Sequence, residues 1–147
     1  MRDMLNNKQV VHLGTVAISG TTPAVSAYVD TREFDACTIA VLNGTITDAG
    51  TAAGYTVTLQ ESADTTGAAA GSVAATDAVD GTITLTETVD ANDDIALGGF
   101  GDKGTDRYVG VTVTGTTASD AEIHVVAILN KPHRAATTFA GTAVART

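Results

Sequence analysis

The residues best suited to binding a metal ion are Asp90, Asn92 and Asp94, which place oxygen ligands at alternate positions. An EF-hand calcium loop opens with that spacing. The rest of the loop does not follow the pattern, because Ile95 stands where the sharp turn needs glycine and Gly101 stands where the bidentate glutamate belongs. We therefore expect a solvated acidic turn and no metal site.

The histidines and the cysteine show no metal-ligand spacing. His12 and His124 alternate with apolar neighbours, so we expect both on strand faces, and His133 stands apart near the C-terminal end. Cys37 lies within an apolar run, which predicts a buried small hydrophobic residue. No serine lies in a nucleophile-elbow motif. We expect no catalytic residue, no cofactor and no enzymatic activity.

The glycine-dense segment Gly98–Gly104 could in principle contact phosphate. It lacks the Gly-Lys-Ser/Thr ending of a P-loop, so we predict a hairpin loop instead.

The amino-acid composition limits the classes of molecule that the protein is expected to bind. The formal net charge is −9, which opposes binding to nucleic acid and to anionic membranes. No apolar run is long enough for a transmembrane helix, and the first eight residues do not resemble a secretion signal. Charged residues make up only 17% of the chain. A surface rich in Thr, Ala and Gly loses less hydration free energy than a charged surface when another protein covers it. We expect a protein partner.

The elements needed to build such a surface are short strands. Tyr55–Glu61 and Arg107–Thr114 alternate between apolar and polar residues, as half-buried strands do. Ala36–Leu42 and Glu122–Leu129 are apolar on both faces, which predicts central strands or a second face that meets another subunit. The Asn43-Gly44 pair predicts a turn that ends the first of these two strands.

These patterns predict an all-β protein with a single antiparallel β-sandwich or jelly-roll-like domain and extended terminal arms. The expected boundaries are an N-terminal arm at 1–8, the sandwich at 9–133 and a C-terminal arm at 134–147. Pro132 marks the end of the last strand, because proline cannot continue a ladder.

Two stretches of the chain are the most distinctive: Leu59-Gln60-Glu61-Ser62-Ala63-Asp64 and Arg107-Tyr108-Val109. With the order of the segments from roughly Leu5 to Ala136, they resemble a group of small tailed-bacteriophage proteins that are similar to capsid decoration or cement proteins. Asn43-Gly44-Thr45-Ile46 and Ile128-Leu129-Asn130-Lys131-Pro132 add to the resemblance. The resemblance implies a virion protein on the capsid surface that stabilises the phage head, binds the major capsid protein and forms a homotrimer.

Position in the terminal segments and side-chain type predict the capsid or intersubunit contacts: Met4, Leu5, Lys131, Arg134 and Phe139. Two alternatives remain open at this point. One is a tail or connector protein of a phage, although neither a long hairpin nor a helix for ring stacking is apparent. The other is a carbohydrate-binding β-sandwich, although Trp is absent and the three tyrosines are scattered.

Overall fold

The computed structural model describes residues 8–48, 54–78, 84–87, 96–102, 106–116 and 120–132. These residues form strands and turns, and none of them forms a helix, so none of the described segments is a helix able to cross a membrane. The strands are β1 (Lys8–Ser19), β2 (Ala24–Val25), β3 (Val29–Asp30), β4 (Phe34–Asp48), β5 (Tyr55–Ser62), β6 (Gly71–Ser72), β7 (Thr84–Glu87), β8 (Ala96–Asp102), β9 (Tyr108–Gly115) and β10 (Asp120–Pro132).

The strands form two antiparallel sheets that pack face to face. The first sheet has the order β1-β10-β4-β8. In the second, β9 and β5 lie at the centre, β2 and β3 both pair with β9 on one side, and β6 and β7 both pair with β5 on the other. The protein is a β-sandwich, as the sequence predicts.

The connectivity is that of a jelly roll. The short pairs β2/β3 and β6/β7 each fill one position at an edge of the second sheet. Counted this way along the chain, the first sheet contains positions 1, 8, 3 and 6, and the second contains positions 2, 7, 4 and 5. Two sheets of four strands with this order are the double Greek key of jelly-roll proteins.

Alternating aliphatic residues fill the space between the sheets. Val57 and Leu59 of β5 are fully buried, and so are Val109, Val111 and Val113 of β9, as period two predicts. The first sheet contributes the buried residues Ile39, Val41, Ile123, Val125, Ala127 and Leu129. Cys37 is also buried in this core, as its apolar neighbours predict. Tyr108, at the start of β9, is only 7% exposed.

A β-bulge in β1 allows both halves of this strand to face the core. The pairing with β10 shifts between His12 and Gly14, and Gly14 has a φ of 108°, a left-handed conformation that favours glycine. The extra residue changes the parity of the strand, so Leu13 and Val16 are both buried although they are three positions apart.

Two predicted boundaries are wrong. Asn43-Gly44 does not end its strand, because β4 continues to Asp48 and Asn43 still pairs with Ile123. Gly98–Gly104 is not a hairpin loop over most of its length, because β8 runs from Ala96 to Asp102 beside β4. Backbone pairing to a central strand overrides the weak intrinsic preference of glycine for strands.

A buried polar contact joins the two sheets. The hydroxyl of Tyr55, at the start of β5, donates a hydrogen bond to Oδ1 of Asn43 in β4. Both residues are almost completely buried, and Nδ2 of Asn43 has no hydrogen-bond partner. Because the site is buried and apolar, no water molecule can replace the Tyr55 hydroxyl as the hydrogen-bond donor to Asn43.

We predict that Tyr55→Phe lowers the free energy of unfolding by about 1–3 kcal/mol, because a buried carbonyl oxygen loses its donor. Tyr28→Phe is the matched control, since the buried Tyr28 hydroxyl has no hydrogen-bond partner and its removal costs little. Urea denaturation of the two variants measures the difference. Equal losses would contradict the role assigned to the Tyr55–Asn43 contact.

An ion pair fastens β3 to β9 at one end of the second sheet. Arg107 Nη2 lies 2.6 Å from Asp30 Oδ2, and Arg107 Nε donates to both carboxylate oxygens at 3.1 Å. The guanidinium also lies over the Tyr108 ring, 4.8 Å from its centroid. The Arg107 carbonyl accepts hydrogen bonds at 2.9 Å from both the backbone N–H and the hydroxyl of Thr31.

The hydrogen bonds from Arg107 lower the pKa of the Asp30 carboxyl below its ordinary value. Because the folded-state pKa is lowered, the stabilisation is present above the unfolded pKa of about 3.9 and is lost as the pH falls through the folded pKa. We predict that Asp30→Asn costs about 0.5 kcal/mol at neutral pH, a small value because both partners are about 40% exposed to solvent.

The pH dependence separates this ion pair from a packing effect. The difference between the wild type and Asp30→Asn should vanish in acid below the folded pKa of Asp30, measured by denaturation across the acid range. Asp77→Asn, distant in sequence from Arg107, serves as the control. If Asp30→Asn destabilises the protein equally at every pH, the stabilisation does not come from the ion pair between Asp30 and Arg107.

Candidate protein-contact surface

The described structure does not test the predicted contact residues. Met4, Leu5, Arg134 and Phe139 lie outside the described residues, and Lys131 lies at the end of β10, where the backbone alone is described. The proposed roles of these five residues stay predictions. Asp90, Asn92 and Asp94 also lie outside the described residues.

The central strands of the first sheet carry apolar residues on the side that faces away from the core. In β10, Val126 and Ile128 alternate with buried residues and are themselves half-buried. In β4, Leu42 occupies the same outer side and is 36% exposed. This confirms the prediction that the strands with two apolar faces are central.

The pairing register aligns these residues in three rows across the outer side of the sheet. One row contains Val10, Ile128 and Thr38, the next contains His12, Val126 and Ala40, and the third contains Thr15, His124 and Leu42. Val10 is the most exposed large hydrophobic residue of the described chain at 65%. We call this surface the apolar face and define it by its five apolar residues: Val10, Ala40, Leu42, Val126 and Ile128.

Glycines continue the apolar face onto β8. Gly101 pairs with Thr38, and Gly99 pairs with Ala40, both on the outer side of the sheet. Because glycine has no side chain, another chain can approach the backbone closely at these two positions. The surface is therefore low at Gly99 and Gly101.

Charged side chains lie at the ends of this surface. The nine residues of the three rows include no Asp, Glu, Lys or Arg. Beyond the third row, exposed Glu122 pairs with Ala17, and exposed Asp120 pairs with Ser19. Beyond the first row, exposed Lys8 pairs with Asn130. The apolar face is therefore neutral at its centre and acidic at one end.

Two histidines lie among the apolar residues. The rings of His12 and His124 are 6.3 Å apart between centroids and are tilted by 39°. His124 Nδ1 lies 2.9 Å from Thr15 Oγ1, with donor and acceptor set by the tautomer. The two rings provide polar groups that can fix the orientation of a bound chain. No group of three or more potential metal ligands occurs among the described residues.

Gly44 explains how the His124 ring fits against β4. A Cβ atom at this position would lie 2.8 Å from His124 Nε2 and 3.0 Å from the Glu122 carbonyl oxygen. The glycine that the sequence pattern assigned to a turn therefore makes room for a side chain of the neighbouring strand. The sequence alone gives no signal for this contact, because it depends on the register of β4 against β10.

A second polar cluster organises the turn after β5. Asp64 accepts hydrogen bonds from the Thr66 hydroxyl at 2.6 Å and from the backbone N–H groups of Thr66, Ala68 and Ala69. These bonds, chiefly the one from the Thr66 hydroxyl, lower the pKa of Asp64. Gly67 in this turn lies against the ring of Tyr28, where a Cβ atom would overlap it. The cluster is an Asx-type turn with a structural role.

Comparison with known proteins places the chain in no family. No family model matches it, and no curated protein matches it. Among solved structures, it is similar to a protein from work described as "Bacillus endospore appendages form a novel family of disulfide-linked pili". The identity is 18% over 89% of this chain and 97% of that chain, with a TM-score of 0.41. This likeness is too low to bear on function.

We predict that Gly44→Ala lowers the free energy of unfolding by about 1–3 kcal/mol, because the added methyl group forces the His124 ring or the strand to move. Gly71→Ala is the control, since a Cβ there meets no atom within 4 Å. In a His124→Ala background, the destabilisation caused by Gly44→Ala should be smaller, because only the contact with the Glu122 carbonyl oxygen then remains. Denaturant unfolding measures the free energy of unfolding of all four variants. If Gly44→Ala destabilises the protein equally with His or Ala at position 124, the contact with the His124 ring is not the cause.

Proposed function

We propose that this protein is a structural subunit that binds other protein subunits through surface contact and carries out no catalysis. The observation that carries the proposal is the apolar face, whose three rows include no Asp, Glu, Lys or Arg in a chain with a net charge of −9. An exposed apolar patch of this kind on a monomer often marks the surface that a partner binds.

The outer side of the second sheet provides an internal comparison. Its central strands β5 and β9 present Thr56, Thr58, Gln60, Thr112 and Thr114 to solvent. Threonine combines a β-branched shape with a hydroxyl that water can solvate, so this is the ordinary composition of a wet sheet face. On the outer side of the first sheet, the central strands instead carry Val126, Ile128 and Leu42, which favours a face that is covered in the assembled state.

Within this class, we propose a decoration or cement protein on the outside of a phage head. The support is the sequence resemblance to capsid decoration proteins, together with a jelly-roll fold, which viral capsid domains often use. The partner would be the major capsid protein, with a second contact to copies of this chain in a trimer. Many modest contacts on a symmetric shell would provide avidity.

Such a protein would stabilise the shell mechanically. A rigid sandwich that spans neighbouring capsid subunits opposes their separation under internal pressure, and the acidic surface keeps it away from the genome. A tail or connector subunit would use the same surface chemistry and remains the second candidate. A sugar-binding role is less favoured, because Tyr55 and Tyr108 are buried and Tyr28 is half-buried.

Cosedimentation with phage capsids prepared without this protein tests the proposal. We expect saturable binding at a fixed ratio to capsid subunits. Val126→Glu places a charge on the apolar face and should weaken binding by about tenfold or more. Thr114→Glu places the same charge on the outer side of the second sheet and should leave binding nearly unchanged.

The outcomes separate the candidates. Absence of binding to capsids, with open-ended rings or tubes in solution, would assign the protein to a tail. Equal effects of the two glutamate variants would show that the apolar face is not the contact surface. Thermal unfolding of both variants confirms that each is folded before binding is compared.

A further inference from the structure

We infer that the apolar face binds residues 133–147 of a second copy of this chain. The inference extends the proposed function, because it names the partner of one surface, and it can hold for a protein that never binds a capsid. Four observations support it: where this segment begins, its charge, its composition and the size of the face that it would cover.

The segment continues directly from the sheet that carries the apolar face. β10 is a central strand of that sheet and ends at Pro132, which pairs with Phe34 of β4. The fifteen residues that follow Pro132 can extend about 50 Å at about 3.3 Å per residue. This exceeds the length of the three rows severalfold, so the segment can reach the same face on an adjacent copy.

Its charge is opposite to that of the rest of the chain. Residues 133–147 contain Arg134 and Arg146 and no acidic residue, whereas all 17 acidic residues precede them. The exposed Asp120 and Glu122 lie at one end of the apolar face. An arginine in the segment can therefore pair with a carboxylate at that end while the neutral part of the segment covers the uncharged centre.

Its side chains also suit the shape of the face. Apart from His133 and the two arginines, the segment consists of Ala, Thr, Gly, Val144 and Phe139. Small residues allow a chain to lie close to the low surface made by Ala40, Gly99 and Gly101. Phe139 provides one large apolar group, and Val126 and Ile128 provide the half-buried surface on which it can pack.

A second copy fits this arrangement better than the same copy. To reach its own apolar face, the segment would have to reverse direction just after Pro132. Residues 133–140 contain no Gly, Pro, Asn or Asp, the residues that tight turns favour. An extended path onto a neighbouring copy requires no such turn.

The size of the face also favours an extended segment over a flat contact alone. Four strands about 4.8 Å apart and rows about 7 Å apart give an area on the order of 400 Å². A flat contact of that size buries on the order of 800 Å² in total, less than stable specific interfaces require. An exchanged segment of fifteen residues adds its own buried surface to each contact.

Cross-linking between two single-cysteine variants of the full-length protein tests the inference without capsids. One variant carries Val126→Cys on the apolar face, and the other carries Phe139→Cys in the segment. The native Cys37 is buried and does not compete. A short bifunctional maleimide should join the two variants into a covalent heterodimer when they are mixed. Thr114→Cys with Phe139→Cys is the control and should give little product.

Three results would overturn the inference. The double variant Val126→Cys/Phe139→Cys could cross-link within one chain at a dilution where mixed single variants do not, which would place the segment on its own face. Val126→Cys could instead join Leu5→Cys, which would make residues 1–7 the occupant. A monomeric solution mass without cross-links would leave the face to a different protein.

A charge exchange provides an independent measurement. Arg134→Glu/Arg146→Glu should weaken self-association by about tenfold, and adding Asp120→Lys/Glu122→Lys should restore most of it. Sedimentation equilibrium measures the association constants. No rescue by the second pair would contradict the ionic contact, and failure of capsid binding alone would leave this result unaffected.

Discussion

The hydrogen bond from Tyr55 to Asn43 fixes the relation between the two sheets on which the rest of the structure depends. It joins the first residue of β5 to the middle of β4 across an interior that is mainly aliphatic. A slip of one residue in β4 would turn Asn43 outward and would bring Leu42 into the core. The buried amide of Asn43 therefore determines which face of β4 points into the core. Hydrophobic burial alone determines this weakly, because both faces of the strand are apolar.

The apolar face follows from that orientation of β4. Once Ile39, Val41 and Asn43 face the interior, Ala40 and Leu42 must face outward. Antiparallel pairing then places Val126 and His124 beside them in β10. Gly44 preserves the arrangement, because its missing side chain leaves room for the His124 ring. A polar contact inside the core thus determines which apolar residues remain outside.

The alternation of apolar and polar residues was sufficient to predict the strands that have one face in the core and one face in solvent. Val57, Leu59, Val109 and Val111 alternate with threonine, so the sequence distinguishes the core side from the outer side. It could not predict the extent of β4 or the existence of β8, because glycine and asparagine are local turn signals and their pairing partners are distant in sequence. For the same reason, the sequence indicated a possible subunit contact on these strands but could not assemble the residues of the apolar face. Its signal was present in Ala36–Leu42 and Glu122–Leu129, but the rows require the register.

An exposed apolar surface needs a constraint that prevents indiscriminate association. Here the acidic residues outnumber the basic residues by 17 to 8, so two copies repel one another at most orientations. Repulsion is weakest where the neutral rows meet an uncharged partner, and it becomes attraction where the basic segment 133–147 meets the acidic end of the face. Under the proposed exchange, the same charge imbalance that opposes binding to nucleic acid would favour self-association in the geometry that pairs this segment with this face.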